Sequence, residues 1–311
     1  MVVSAGVTAM PGGSGRCGGR MSILGVHGIG NGKYFTQAGE DLVSATEAIG
    51  ADWLGWMSRG GAKYAPGRPM PEALPVAYYA DCLARDVAMG AADVESLDPV
   101  GRELFVTWVE EVGRERFGAQ WATEVGQNAA HKWLVRRPAE AMVRHFGQSL
   151  CDLLARASDS LAGYFDPQDT SRREKARQRV AEAIRLYRPR AVLAHSLGSV
   201  VTYEALCADP ELGKGIELLV TLGSPLGVPR VVFERLAPTP DGRGIRPPGV
   251  GVWVNLADVG DPVALPPGRL GERFEGLDED ITVSLDVLNP HGARNYLMCR
   301  QMTAVLGKHL R

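Results

Sequence analysis

Residues 191–205, AVLAHSLGSVVTYEA, constrain the fold of this chain more than any other stretch. The segment opens with four apolar residues, continues through His195-Ser196-Leu197-Gly198, and ends in small and apolar residues with helical spacing. A short apolar run followed by a turn signal is typical of a buried strand. The segment therefore predicts a strand, a sharp turn that carries Ser196, and a helix.

The residues on either side of Ser196 are small enough for a tight turn. Ala194 lies two positions before the serine and Gly198 two positions after it. Such a turn lifts the serine hydroxyl above the strand ends, and the pattern resembles the GxSxG nucleophile motif of the α/β-hydrolase superfamily, with Ala194 in place of the first glycine. The alternative is a serine that only caps the following helix, as serines often do at helix starts.

The composition is that of a globular protein without a polyanionic partner. Of the 311 residues, 45% are hydrophobic and 23% are charged, and the formal net charge is -2. Proteins that bind nucleic acid usually concentrate Lys and Arg. The one basic cluster here, residues 172–179, is interrupted by Glu and Gln, which indicates the solvated face of a helix. We therefore expect no nucleic-acid partner.

Cysteine spacing and hydropathy indicate the compartment. The five cysteines are widely spaced and none forms a CxxC pair, so we expect a reducing environment, no disulfide framework and no metal site. No apolar run approaches the length that spans a bilayer. We expect a cytoplasmic protein without stable membrane insertion, and its oligomeric state is open. Residues 1–20 are glycine-rich, lack a signal-peptide segment, and are predicted to be a disordered leader.

Apolar segments alternate with helical patterns along the rest of the chain. This alternation predicts an α/β fold with a mostly parallel central sheet flanked by helices. The predicted strands are 22–27, 74–79, 191–194, 216–222, 250–256 and 281–287. The main predicted helices are 34–49, 99–117, 120–134, 138–164, 171–187 and 292–310, the last with Tyr296 on its buried face, and residues 53–70 are predicted to be a loop rich in Gly and Pro. Residues 83–137 contain helical patterns, three tryptophans and no obvious strand. We interpret them as a helical lid inserted into a single α/β-hydrolase domain that spans residues 21–311.

The resemblance to α/β-hydrolases implies that an acid and then a histidine follow the serine in chain order. A serine hydroxyl needs a base within hydrogen-bond reach, and a third group must orient that base. His291 follows the last predicted strand and is the expected base. Asp261 precedes Pro262-Val263, similar to the Asp-x-Val pattern of many lipase-like hydrolases, and is the expected acid. Asp258 is the alternative acid, or a residue that pins the loop.

Two backbone amides are expected to stabilise the oxyanion that forms during acyl transfer. One is the amide of Leu197, directly after the nucleophile. The other comes from the loop after the first strand, where His27-Gly28-Ile29-Gly30 resembles the HGxG motif of lipases and esterases. Carried over by position, the motif assigns the second donor to Ile29, with His27 orienting the loop.

The resemblance implies a lipase- or esterase-like serine hydrolase that cleaves an acyl ester or thioester through Ser196, His291 and Asp261. The implied substrate is a small acyl compound, and no metal or organic cofactor is implied. An amidase, a peptidase or an acyltransferase would use the same three residues. A ligand-binding module on a hydrolase scaffold is the alternative from a different class.

Overall fold

The chain forms an α/β fold in which a six-stranded, all-parallel sheet is flanked by helices. The computed structural model describes residues 21–83, 94–118, 120–121, 136–286 and 289–310. The strands are β1 (Ile23–Val26), β2 (Val76–Ala77), β3 (Ala191–His195), β4 (Leu218–Leu222), β5 (Val252–Asp258) and β6 (Glu279–Val283). Their order across the sheet is β2-β1-β3-β4-β5-β6. The predicted fold class and parallel sheet are confirmed, and the predicted leader lies outside the described residues.

Helices connect the strands and close the chain. In chain order they are α1 (Gly32–Gln37), α2 (Leu42–Tyr64), α3 (Ala80–Leu83), α4 (Pro99–Phe117), α5 (Arg136–Phe146), α6 (Gln148–Tyr164), α7 (Ser171–Tyr187), α8 (Leu197–Ala208), α9 (Leu270–Arg273), α10 (Ala293–Met298) and α11 (Arg300–His309). Within the described parts of the chain, none of the helices combines the length and the apolar character needed to cross a membrane.

The central strands of the sheet are buried on both faces because they are nearly continuous apolar runs whose successive side chains point to opposite faces. In β3, Ala191 and Leu193 face a cluster built with α2, α10 and α11. Val192 and Ala194 face the opposite cluster, built with α4 to α8. Strand β3, which leads to Ser196, is fully buried and hydrogen-bonded on both edges.

Three predicted helices are interrupted where the backbone leaves the helical region. The pattern over residues 34–49 predicts one helix, but Gly39 and Glu40 adopt positive φ angles of 62° and 64° and separate α1 from α2. The single helix predicted for residues 138–164 is likewise divided at Gly147, with φ 84°. The helix predicted for residues 292–310 is divided at Cys299, whose sulfur accepts a hydrogen bond from the amide of Met302.

Helix α4, from the predicted insert, packs over loops at the carboxyl edge of the sheet. The indole Nε1 of Trp108 donates to the carbonyl of Pro262, 3.2 Å away, in the loop after β5. Glu111 lies 2.6 Å from Arg230 in the loop after β4. Trp108 is buried. The predicted helix over residues 120–134 lies largely outside the described residues.

A buried ion pair joins the helices behind the nucleophile. Glu204 on α8 is 0% exposed and accepts hydrogen bonds from Arg173 Nε at 2.8 Å, from the Tyr164 hydroxyl at 2.7 Å and from the Ala237 amide at 3.0 Å. Removal of one partner leaves the other charge buried and unpaired, which is strongly destabilising.

We expect Arg173→Ala to lower the free energy of unfolding by about 3 kcal/mol, measured by urea denaturation, because Glu204 stays buried without its cation. Arg185→Ala is the matched control on the same helix. Arg185 pairs with Asp209 at the surface, and its loss is expected to cost less than about 1 kcal/mol. Equal losses in the two variants would contradict the importance of the buried pair.

Candidate active site

The strand order reverses between β1 and β3, whose carboxyl ends lie side by side in the sheet. The chain runs from β1 outward to β2 and later forms β3 on the other side of β1. In open α/β sheets, ligands bind in the crevice at such a reversal of strand order. The loop after β1 begins at His27, and Ser196 directly follows β3, so both predicted loops meet at this point.

Ser196 occupies a strained turn that its neighbours hold in place. Its backbone adopts φ 55° and ψ -131°, a region that residues with a side chain rarely visit. Its amide donates to the carbonyl of Leu222 in β4 at 2.9 Å. The Ser199 amide and hydroxyl both donate to the Ser196 carbonyl, at 2.9 and 2.5 Å. The predicted strand, sharp turn and helix are confirmed.

Ser196, His291 and Asp261 form one continuous chain of hydrogen bonds. The Ser196 hydroxyl lies 2.8 Å from His291 Nε2, and His291 Nδ1 lies 2.8 Å from Asp261 Oδ2. With the proton on Nδ1 donated to the carboxylate, Nε2 is free to accept the proton of the serine. All three side chains are buried, and Ser196 is only 1% exposed.

The surroundings of Asp261 keep its carboxylate ionised. Burial by itself would raise the pKa of Asp261, but the charge and hydrogen bond of His291 outweigh it and lower the pKa below its usual value. The Val263 amide, 2.9 Å from Oδ1, and the Tyr296 hydroxyl, 2.9 Å from Oδ2, act in the same direction.

Asp258, the alternative acid, is used elsewhere. Its Oδ1 accepts from the Gly260 amide, and its Oδ2 accepts from the Leu285 amide at 2.5 Å. Burial raises the pKa of Asp258, and these two amides oppose that rise. The structure therefore places Asp261 beside the histidine and places Asp258 as a brace between the end of β5 and the segment after β6.

The amides of Ile29 and Leu197 have no hydrogen-bond partner among the described residues. The Asn31 side chain explains the orientation of the Ile29 amide. Its Nδ2 donates to the carbonyls of Gly28 at 2.9 Å and of Ile29 at 3.2 Å. In a trans peptide the amide points opposite to the preceding carbonyl. Asn31 therefore turns the carbonyls to one side and leaves the Ile29 and Gly30 amides facing the other.

His27 holds the loop after β1 and is not placed to act as a base. Its Nδ1 bonds the Gly28 carbonyl at 2.8 Å, and its Nε2 accepts from the Tyr79 amide at 3.1 Å. The ring also stacks on Tyr79. Burial lowers the pKa of His27 to about 4, so the imidazole is neutral near pH 7.

Three glycines allow these loops to approach one another. A Cβ on Gly28 would lie 2.4 Å from the Cβ of Ser196, and one on Gly198 would lie 2.3 Å from the carbonyl oxygen of His27. Gly223, at φ 55°, has Asp261 Oδ2 at 2.9 Å from its Cβ position and His291 Nδ1 at 3.2 Å. Any side chain at these positions would separate the groups that form the site.

His195 fixes the backbone of His291. Its Nε2 lies 2.8 Å from the His291 carbonyl, and the two rings are 4.8 Å apart. Burial, followed by the nearby His291, lowers the pKa of His195 to about 3. A neutral imidazole at this position donates to the His291 carbonyl without placing a second cation beside the His291 ring.

The sequence predicted the residues that are brought together here, but missed those that support them. The sequence pattern places Tyr296 on the buried face of the last predicted helix, and it places Gly223 and Asn31 in the loops that follow predicted strands. No sequence motif marks these roles, because each depends on contacts made across the fold. A comparison of the chain with protein-family models, with curated proteins and with solved structures found no significant match.

Proposed function

We propose that this protein is a serine hydrolase of the α/β-hydrolase superfamily that cleaves an acyl ester or thioester. The observation that carries the proposal is the hydrogen-bonded series Ser196–His291–Asp261 on a strained turn at the carboxyl end of β3. The nucleophile lies 2.8 Å from the base, and the base lies 2.8 Å from the group that orients it, which meets the geometric requirement for nucleophilic catalysis.

In the proposed acylation step, the Ser196 oxygen attacks the acyl carbonyl while His291 Nε2 takes the hydroxyl proton. The carbonyl electrons move onto oxygen, and the amides of Leu197 and Ile29 donate hydrogen bonds to that oxyanion. Asp261 stabilises the charge that His291 acquires. When the tetrahedral intermediate collapses, His291 returns the proton to the leaving alcohol or thiol, and the acyl group stays on Ser196.

Deacylation repeats these steps with water as the nucleophile. His291 takes a proton from water, which attacks the acyl-enzyme carbonyl, and the same two amides stabilise the second oxyanion. The proton then passes to the Ser196 oxygen as the acid is released. The serine and the imidazole thereby return to their initial protonation states. Neither step changes an oxidation state, and no external reductant or oxidant is consumed.

The apolar contacts of the Ile29 side chain favour an acyl group with a hydrocarbon chain. The side chain of Ile29 is partly buried against the cluster that also holds Leu226 and, from α4, Phe105 and Trp108. Helix α4 is bonded to the loop that carries Asp261. This position supports a role for the insert as a lid that shapes the acyl site, as lids and loops commonly set specificity.

A fluorophosphonate probe tests the proposal directly, because it phosphonylates an activated serine. We expect labelling of the wild-type protein at Ser196, located by peptide mass spectrometry, and none in Ser196→Ala. Ser158→Ala is the matched control, since this serine is also buried but lies on α6, outside the hydrogen-bonded series. Labelling that persists in folded Ser196→Ala, or absence of labelling in the folded wild type, would refute the proposal.

A further inference from the structure

Tyr296 makes a hydrogen bond that links the last part of the chain to both acids. Its hydroxyl donates to Asp261 Oδ2 at 2.9 Å, the same oxygen that accepts from His291 Nδ1 at 2.8 Å. The hydroxyl oxygen also accepts from the backbone amide of Asp258, at 2.9 Å. One phenol therefore contacts the carboxylate beside the histidine and the backbone of the competing aspartate.

The phenol is fixed in its protonated form. Tyr296 is fully buried, and its position on α10 is set by packing between β5 and α2. Burial, and then the charge of Asp261, raise its pKa well above the usual value. Across the working pH range it is a donor to the carboxylate, with its direction set by the amide of Asp258.

The geometry points to Tyr296 as a positioning residue that holds the Asp261 carboxylate against His291 and limits the negative charge the imidazole experiences. This inference rests on the proposed function, because it assigns a role within the same hydrogen-bonded series. The phenol shares Oδ2 with the histidine, so each hydrogen bond to that oxygen draws on the same lone-pair density. Removal of the Tyr296 hydroxyl leaves the Asp261 carboxylate more basic. That carboxylate then stabilises the imidazolium of His291 more strongly.

The other titratable groups around Tyr296 and Asp261 do not donate a hydrogen bond to the Asp261 carboxylate in its place. His195, whose ring lies 6.0 Å from that of Tyr296, is neutral because burial lowers its pKa to about 3. Asp258 binds two backbone amides through its carboxylate. The charge of Arg116 lowers the pKa of Asp258, and its guanidinium donates a hydrogen bond to the carbonyl of Val259.

The test is the pH dependence of Tyr296→Phe, followed both by hydrolysis of p-nitrophenyl butyrate and by the rate of fluorophosphonate labelling. A hydrogen bond to a charged group contributes enough to move a titration by about one pH unit. We expect the acid limb of kcat/KM and of the labelling rate to move upward by about that amount, with about a tenfold loss at the plateau.

Tyr164→Phe is the matched control. It removes another buried hydroxyl bonded to a carboxylate, that of Glu204 at 2.7 Å, from a helix that does not carry the site. We expect it to lower the melting temperature and to leave the acid limb in place. An acid limb in Tyr296→Phe that stays in place or moves downward, in a protein that is folded and labelled at Ser196, would overturn the inference.

A second substitution covers the case in which Tyr296→Phe does not fold. Incorporation of 3-fluorotyrosine at position 296 keeps the hydroxyl and makes it a stronger donor. We expect the acid limb to move to lower pH, and an unmoved limb would overturn the inference. A wild-type protein that is not labelled refutes the proposed function instead, so the two failures are distinguishable.

Discussion

Replacement of Asp261 by asparagine is expected to lower kcat for ester hydrolysis by about 10⁴-fold while the protein stays folded. The amide keeps the size of the carboxylate but removes its charge. Its NH2 end must also face a donor, either the Val263 amide at Oδ1 or His291 and Tyr296 at Oδ2. The imidazole then loses the partner that fixes its proton on Nδ1. The measurement is steady-state hydrolysis of p-nitrophenyl butyrate, with circular dichroism to verify folding.

Asp258→Asn is the control that separates the two acids. The Asp258 carboxylate accepts from the amides of Gly260 and Leu285, and an asparagine side chain would turn an N–H toward one of them. We expect a loss of about 1–3 kcal/mol in the free energy of unfolding, with kcat within about tenfold of wild type. A larger loss of kcat in Asp258→Asn than in Asp261→Asn would reverse the assignment.

Gly28→Ala is expected to reduce the rate of fluorophosphonate labelling by about 10²- to 10³-fold, the loss that follows removal of an oxyanion donor. The added methyl would lie 2.4 Å from the Cβ of Ser196 and 2.9 Å from the carbonyl oxygen of His195. Since neither neighbour can give way without moving the backbone, the loop that carries the Ile29 amide must move away from the nucleophile. The same crowding should cost about 1–3 kcal/mol of stability.

Gly55→Ala provides the comparison for the methyl group itself. Gly55 lies within α2, and a Cβ there meets nothing within 4 Å. We expect this variant to gain up to about 1 kcal/mol in stability from helix propensity and to label at the wild-type rate. Labelling of Gly28→Ala at a rate close to that of wild type would show that the Ile29 amide takes no part in the reaction.

The sequence predicted the strands and the turn at Ser196 because these depend on local patterns. The expected order of the acid and the histidine came instead from the resemblance to α/β-hydrolases. The support of the site was not predictable in the same way. Tyr296 fits the apolar stripe of a helix whether or not its hydroxyl meets a carboxylate, so periodicity cannot separate packing from a polar contact. Nor could spacing decide between Asp258 and Asp261, since both follow the same strand.

Glycine illustrates the limit of local patterns most clearly. The Gly and Pro content of residues 53–70 predicts a loop, yet α2 continues to Tyr64, so this prediction is wrong for residues 53–64. Gly60 and Gly61 lie within this helix, where the absence of a side chain lets the backbone of Met298 and the side chain of Met70 pack closely against it. In contrast, Gly147 ends a helix at φ 84°. The same residue type continues or ends a helix according to neighbours that are distant in the sequence.

The order in which the chain is synthesised determines when the parts of the site become available. Its parts come from the loop after β1, from the turn at Ser196, and from Asp261, His291 and Tyr296 much later in the chain. A nascent chain that has not yet reached Tyr296 already contains the serine but lacks the phenol. One that stops before His291 lacks the imidazole as well. Ser196, the proposed nucleophile, therefore emerges from the ribosome long before His291, its proposed base.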